Sequence, residues 1–259
     1  MAYILTFLIA CGASTLTFFS GFGLGTILLP LFLAFFEPKL AIPAAALVHF
    51  ANSIFKFTFV FKNIHLKILL RFGIPAIITA YLGSMILDYM NTDYVLLWYH
   101  IGDVFFAITP LKLMIGIMII TFAGIESSKR IKEHQFKKNY LLVGGALSGF
   151  FGGLSGHQGA LRSLFLKNTD LTKEQLVATS TSISLGIDLV RIIGYLQMVS
   201  ISTIVSDKQS LILLFALIGS FLGVMLGNRL LKKATLELVH KIISKLLILF
   251  GILMILGIV

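Results

Sequence analysis

The chain has 259 residues, of which 58% are hydrophobic and only 12% charged, with a formal net charge of +10. Water-soluble domains are about half apolar and a quarter charged, so this balance excludes an ordinary soluble protein. It also argues against a nucleic-acid partner, because most Lys and Arg sit in short segments between apolar runs, where a positive-inside bias operates, rather than on one basic face.

In chain order, a first apolar stretch over 3–36 is followed by apolar runs at 41–61, 72–87, 104–125, 140–166, 175–199, 210–228 and 242–259. Several approach or exceed the roughly 20 residues that cross a bilayer as a helix. They predict an all-α polytopic membrane protein with the lipid bilayer as its medium. Strands of a closed barrel would instead alternate over about ten residues between turn signals. The first stretch lacks a charged n-region and reads as a membrane segment rather than a cleaved signal. It is interrupted by Ser20-Gly21-Phe22-Gly23-Leu24-Gly25. The run 41–61 carries Lys56. Segment 88–112 holds Asp88, Asp93 and Asp103 against Lys112, with Tyr89, Tyr94, Trp98 and Tyr99 grouped as aromatics group at headgroup level. Residues 95–109 are expected either along that interface or as the start of the next span. The run 140–166 is interrupted by Ser155-Gly156-His157-Gln158-Gly159, and 175–199 carries Asp188 and Arg191. The single cysteine, Cys11, has no intrachain partner and is expected to pack as a small apolar residue.

The order of features divides the chain into two repeats, 1–125 and 139–259, joined by a hydrophilic linker at 126–138. At an offset of 135, Ser20-Gly21 falls on Ser155-Gly156, Ser53 on Asp188 and Lys56 on Arg191. If every apolar stretch crossed once, the Lys and Arg of the connecting segments would divide 9 to 8 between the two sides, which is no bias. If the two broken stretches dip in and return, the division becomes 14 to 3, which obeys the positive-inside rule. The second arrangement gives six full spans and two re-entrant hairpins in two inverted repeats. It places 126–138 in the cytoplasm and both termini outside a multi-pass cell (inner) membrane protein. In lipid, irregular backbone persists only where protein or a watery cavity surrounds it. Paired breaks in two halves therefore point to a transporter's binding site.

The site residues follow from the breaks and the helices after them. Gly21, Gly23 and Gly25 allow close backbone approach at the first tip, and His157 and Gln158 stand at the second. Each tip starts a helix whose unpaired N–H groups favour an anion. His49, Asn52, Ser53 and Lys56 share one helical face at i, i+3, i+4 and i+7, as do Ser184, Asp188 and Arg191 in the second half. Lys56, Arg162, Arg191 and Lys245 lie within apolar segments against Asp188 alone, an excess that suits a small anionic substrate. Lys245 is expected to snorkel to the surface. Asp188 and Arg191 are read equally well as a structural ion pair. No catalytic motif or metal-ligand spacing occurs, so neither an enzyme nor a cofactor is expected.

Four stretches carry a family resemblance: S-G-F-G-L-G-T-I-L-L-P at 20–30, V-H-F-A-N-S-I-F-K at 48–56, L-R-F-G-I-P-A at 70–76 and L-S-G-H-Q-G-A-L-R-S at 154–163. In these the chain resembles the sulfite exporter TauE/SafE family of membrane permeases. The resemblance implies passage of small sulfur-containing anions such as sulfite or organosulfonates. Many members carry a denser glycine run at each break than the G-F-G-L-G and G-H-Q-G found here, a departure that bears on the substrate. The expected function is a secondary transporter of a small oxyanion, driven outward by an inside-negative potential. An anion channel and a non-transporting scaffold subunit remain as alternatives, and homo-oligomerisation is left open.

Overall fold

The computed structural model describes residues 1–20, 24–90, 94–128, 138–166, 169–197, 199–204, 207–230 and 236–258. Its helices in chain order are α1 (Ala2–Ser20), α2 (Leu24–Leu33), α3 (Pro38–Val60) and α4 (Leu66–Met90). A hairpin of β1 (Leu97–Ile101) and β2 (Val104–Ile108) follows, then α5 (Pro110–Ser127), α6 (Leu141–Ser155), α7 (Gln158–Leu166) and α8 (Lys173–Tyr195). A short α9 (Ile201–Ile204), α10 (Asp207–Leu230) and α11 (Leu236–Ile255) complete it. Among the described residues four stretches are long and apolar enough to cross a membrane: Lys39–Asn63, Leu66–Leu87, Lys173–Tyr195 and Gln209–Arg229.

Local chemistry sets the ends of these helices. Pro38 and Pro110 open α3 and α5, where a missing N–H costs nothing. Thr172 and Gln175 form a reciprocal capping box at the start of α8. The end of α6 is Gly156 at φ 84°, a left-handed conformation that a side chain resists. A Cβ there would also lie 2.7 Å from Arg191 Nη1.

Packing inverts the soluble pattern. On α4, Leu70, Ile74, Ile78 and Leu82 form an exposed apolar stripe, while Phe72, Ala76 and Ala80 are buried against α6. Water does not drive helices together inside lipid, so small residues that let backbones approach make the seams. A Cβ on Gly145, Gly149 or Gly153 of α6 would come within 2.2, 1.9 and 1.9 Å of the carbonyl oxygens of Phe72, Ala76 and Ala80. Gly219 and Gly223 of α10 meet α1 in the same way, each 2.4 Å from the carbonyl oxygen of Phe7 or Cys11. In the α5–α11 seam, Gly116 faces the carbonyl oxygen of Gly251 and Gly251 faces that of Gly116. Helices α3 and α8 pack on one another between these seams, α3 also touching α10 and α8 touching α4.

The second break is a hairpin. Gly144 faces the Phe165 ring, Gly152 faces the Gln158 Cβ, and Ser148 Oγ donates to the Gln158 carbonyl at 2.7 Å, so α7 runs back along α6. Its nine residues rise only about 14 Å, less than half of a hydrocarbon core of about 30 Å. The ten-residue α2 is similarly short. Residues of α1 from Leu5 to Leu16 and of α2 from Ile27 to Leu31 line one apolar groove of about 430 Å³ with Leu247 and Phe250 of α11.

The all-α expectation needs one correction. Residues 97–108 form an antiparallel hairpin, Leu97 opposite Ile108 and Ile101 opposite Val104, and the helix expected from 104 begins at Pro110. Gly102 at φ 60° and Asp103 make a two-residue turn between aromatic and β-branched runs, a hairpin signal that outweighs hydropathy. Tyr99 OH donates to the Leu256 carbonyl (2.6 Å) and Lys112 Nζ to that of Gly257 (3.1 Å), which holds the hairpin over the end of α11.

Candidate functional site

Four elements bring buried polar side chains together. Helix α3 supplies His49, Asn52, Ser53 and Lys56 from one face. Helix α8 supplies Ser180, Thr181, Ser184, Asp188 and Arg191. The second tip supplies Ser155, His157, Gln158 and Arg162, and α1 adds Ser14 and Thr17. Asp188 and Arg191 are 0% and 1% exposed, Arg162 1% and Lys56 7%, so three cations and one carboxylate are withdrawn from solvent together.

Asp188 is the hub. His49 Nδ1 lies 2.5 Å from Asp188 Oδ2. Gln158 Nε2 donates to Oδ1 at 2.9 Å, and Arg191 Nη2 pairs with the same oxygen at 2.9 Å. Arg162 Nη1 donates to Gln158 Oε1 (3.1 Å) and to Ser184 Oγ (2.6 Å). Tyr195, one turn beyond Arg191, donates its hydroxyl to the Gly153 carbonyl. At the tip, His157 Nδ1 meets Ser155 Oγ at 2.9 Å while its ring stacks on Phe122. Its Nε2 and Arg191 Nε have no hydrogen-bond partner among the described residues. Buried polar atoms without a partner are uncommon in native proteins.

Lys56 is held differently. Its Nζ donates to the Phe18 carbonyl at 2.8 Å and lies 4.6 Å from the centre of the Phe18 ring. The final turn of α1 therefore solvates this ammonium with a dipole and a π-face. Among the described residues no carboxylate pairs with it. Ser14 Oγ donates to Asn52 Oδ1 at 3.0 Å, which leaves the Asn52 amide N–H groups for other acceptors. Between these groups lies a cavity of about 20 Å³, lined by Thr17, Leu24, His49, Asn52, Ser53, Lys56, Thr181 and Ser184. It has room for about one water. Gly25 packs against His49 and the other tip: a Cβ there would lie 3.3 Å from His49 Cδ2 and 3.5 Å from the Gly156 carbonyl oxygen.

The sequence model of the sulfite exporter TauE/SafE family matches residues 6–254. The chain belongs to this family. No curated protein and no solved structure matches it. As a TauE/SafE member it is an integral membrane protein of a transporter family.

Of the residues singled out in the sequence of this TauE/SafE protein, His49, Asn52, Lys56, His157, Gln158, Arg162, Asp188 and Arg191 are all buried in the described cluster. Gly25 packs against it, whereas Gly21 and Gly23 lie outside the described residues. Lys245 is exposed. Sequence reasoning missed Ser14, Thr17, Thr181 and Tyr195. Ser14 and Thr17 are spaced i, i+3 on a helix without charged residues, and Tyr195 stands at i+4 from Arg191. That periodicity was the available signal.

Proposed function

We propose that this chain is a secondary transporter that exports a small oxyanion, sulfite or an organosulfonate, through the cavity beside Lys56. The observation that carries this reading is the donor excess in a buried site. Among the described residues Lys56, Arg162 and Arg191 are buried with one buried carboxylate, Asp188, and the cavity wall offers Lys56 Nζ, the Asn52 amide and hydroxyls of α3 and α8. An anion entering there exchanges hydration for charge-assisted hydrogen bonds, roughly twice as strong as neutral ones. Lys56, His49 and Asn52 would contact it first. Gln158, His157, Arg162 and Arg191 would contact it as it moves toward the second tip. The Gly21–Gly25 backbone would flank it, and Asp188 would set the position of the donors.

The same reading takes the fold as two inverted repeats, 1–125 and 139–259, with six spans, two re-entrant hairpins and both termini outside the cell membrane. Reciprocal packing supports it: α1 lies on α10 as α6 lies on α4, and α3 lies on α10 as α8 lies on α4. Gly116 and Gly251, which touch each other, stand at the offset that relates Lys56 to Arg191. A cavity the size of one water supports a carrier over an open channel, because the surrounding helices must part to admit an anion.

Counterflow in proteoliposomes across sulfite, sulfate, thiosulfate, methanesulfonate and small carboxylates tests the function. Saturable exchange of sulfite or a sulfonate is expected, and absence of flux for the whole panel contradicts it. Topology is tested separately in a Cys11→Ser background: an impermeant thiol reagent added outside should label Thr203→Cys and spare Asp170→Cys.

A further inference from the structure

We propose that Asp188 is a tethered counter-anion that occupies, between transport cycles, the donors the transported anion must take over. The inference rests on the transporter reading above and assigns Asp188 a role opposite to that of a substrate contact.

The donors themselves point this way. His49, Gln158 and Arg191 converge on one carboxylate, and Arg162 is bonded to Gln158 and reaches Ser184 on the wall of the cavity. An oxyanion moving from Lys56 toward Arg191 meets His49, Gln158 and Arg191 already engaged by that carboxylate, while Arg191 Nε has no hydrogen-bond partner among the described residues. Its passage is then an exchange, in which one set of charge-assisted bonds is broken as an equivalent set forms. Without an internal anion, Arg191 would be buried with its ion-pair partner gone, a costly arrangement. With it, the donors stay aimed and a departing anion is replaced at once.

The halves differ at this position. Asp188 corresponds to Ser53 at the offset that pairs Arg191 with Lys56, and Lys56 is held by a backbone carbonyl and a ring instead. A repeated fold does not require the carboxylate, since the first half manages its cation without one. The carboxylate also links the halves, because His49 lies on α3 and Asp188 on α8, 139 residues apart. An anion that withdraws His49 and Gln158 from Asp188 loosens that link at the moment the helices must part.

The test compares wild type with Asp188→Asn, purified in nanodiscs, using sulfite and methanesulfonate as calorimetric ligands and counterflow as the kinetic readout. Loss of the competitor should tighten binding by about tenfold or more and slow exchange, so affinity and turnover move in opposite directions. Binding by wild type with equal or weaker binding by folded Asp188→Asn overturns the role of Asp188 and leaves the transporter reading standing. No binding of either anion by either protein overturns both. Infrared difference spectra of wild type carrying ¹³C-carboxyl aspartate need no variant. Saturating sulfite should shift the stretch of a buried carboxylate, and an unshifted band overturns the proposal even if Asp188→Asn fails to fold.

Discussion

The helix pairs α1–α2 and α6–α7 stand at corresponding places in the chain order and pack on opposite principles. In α6–α7 the arms touch closely along Gly144, Ser148 and Gly152, and the returning arm carries Gln158 and Arg162 into the buried cluster. In α1–α2 a groove of about 430 Å³ separates the arms, and nothing lies within 4 Å of a Cβ placed on Gly12. Helix α2, L-G-T-I-L-L-P-L-F-L, has no ionisable side chain. Its counterpart to Arg162 is Ile27, a residue of the groove. Corresponding places in the chain order therefore do not carry the same chemistry. The second hairpin holds charged groups rigidly, while in the first half α3 and the end of α1 carry that burden.

The largest effect that would break this comparison is at the glycine seam. Gly149→Leu places a side chain where even a Cβ would lie 1.9 Å from the Ala76 carbonyl oxygen. Overpacking costs about 1–3 kcal/mol or more, and relief here requires moving backbone, so no monodisperse folded protein should be recovered by size exclusion. Next is Arg162→Lys. A single ammonium does not reproduce a guanidinium that serves both Gln158 and Ser184. Hydrogen bonds to charged groups contribute roughly 1.5–3 kcal/mol each to stability, so the melting temperature should fall by a few degrees and anion exchange should fall about tenfold or more. The matching Ile27→Leu should leave exchange within about twofold of wild type, since volume-conserving swaps are well tolerated. Smallest is Gly12→Ala, which fills open space and removes the helix penalty of glycine, up to about 1 kcal/mol. Its melting temperature should stay level or rise slightly. A severe loss at Gly12 or Ile27 would mean that the first hairpin is as tightly specified as the second.

Much of this was legible in the sequence because lipid imposes simple rules. Long apolar runs had to be helices, and glycine-rich interruptions had to be sheltered by protein. The spacing of His49, Asn52, Ser53 and Lys56 placed them on one face, and all four line the cavity. Two things were not legible. The β-hairpin was hidden because Leu97–Ile108 is as apolar as a span, so hydropathy masked the turn at Gly102-Asp103. The partners of the buried charges were hidden because they are distant in sequence. Nothing local tells that Lys56 is received by the Phe18 carbonyl, or that Asp188 meets His49 across the two halves.

In the proposed mechanism Lys56, which has no carboxylate partner among the described residues, draws an anion into the cavity. Lys56→Met keeps the length of the side chain and removes the ammonium. Sulfite and methanesulfonate counterflow should fall to the level of empty liposomes while the purified variant stays folded and monodisperse. Exchange at the wild-type rate by that variant would contradict the anion-carrier mechanism.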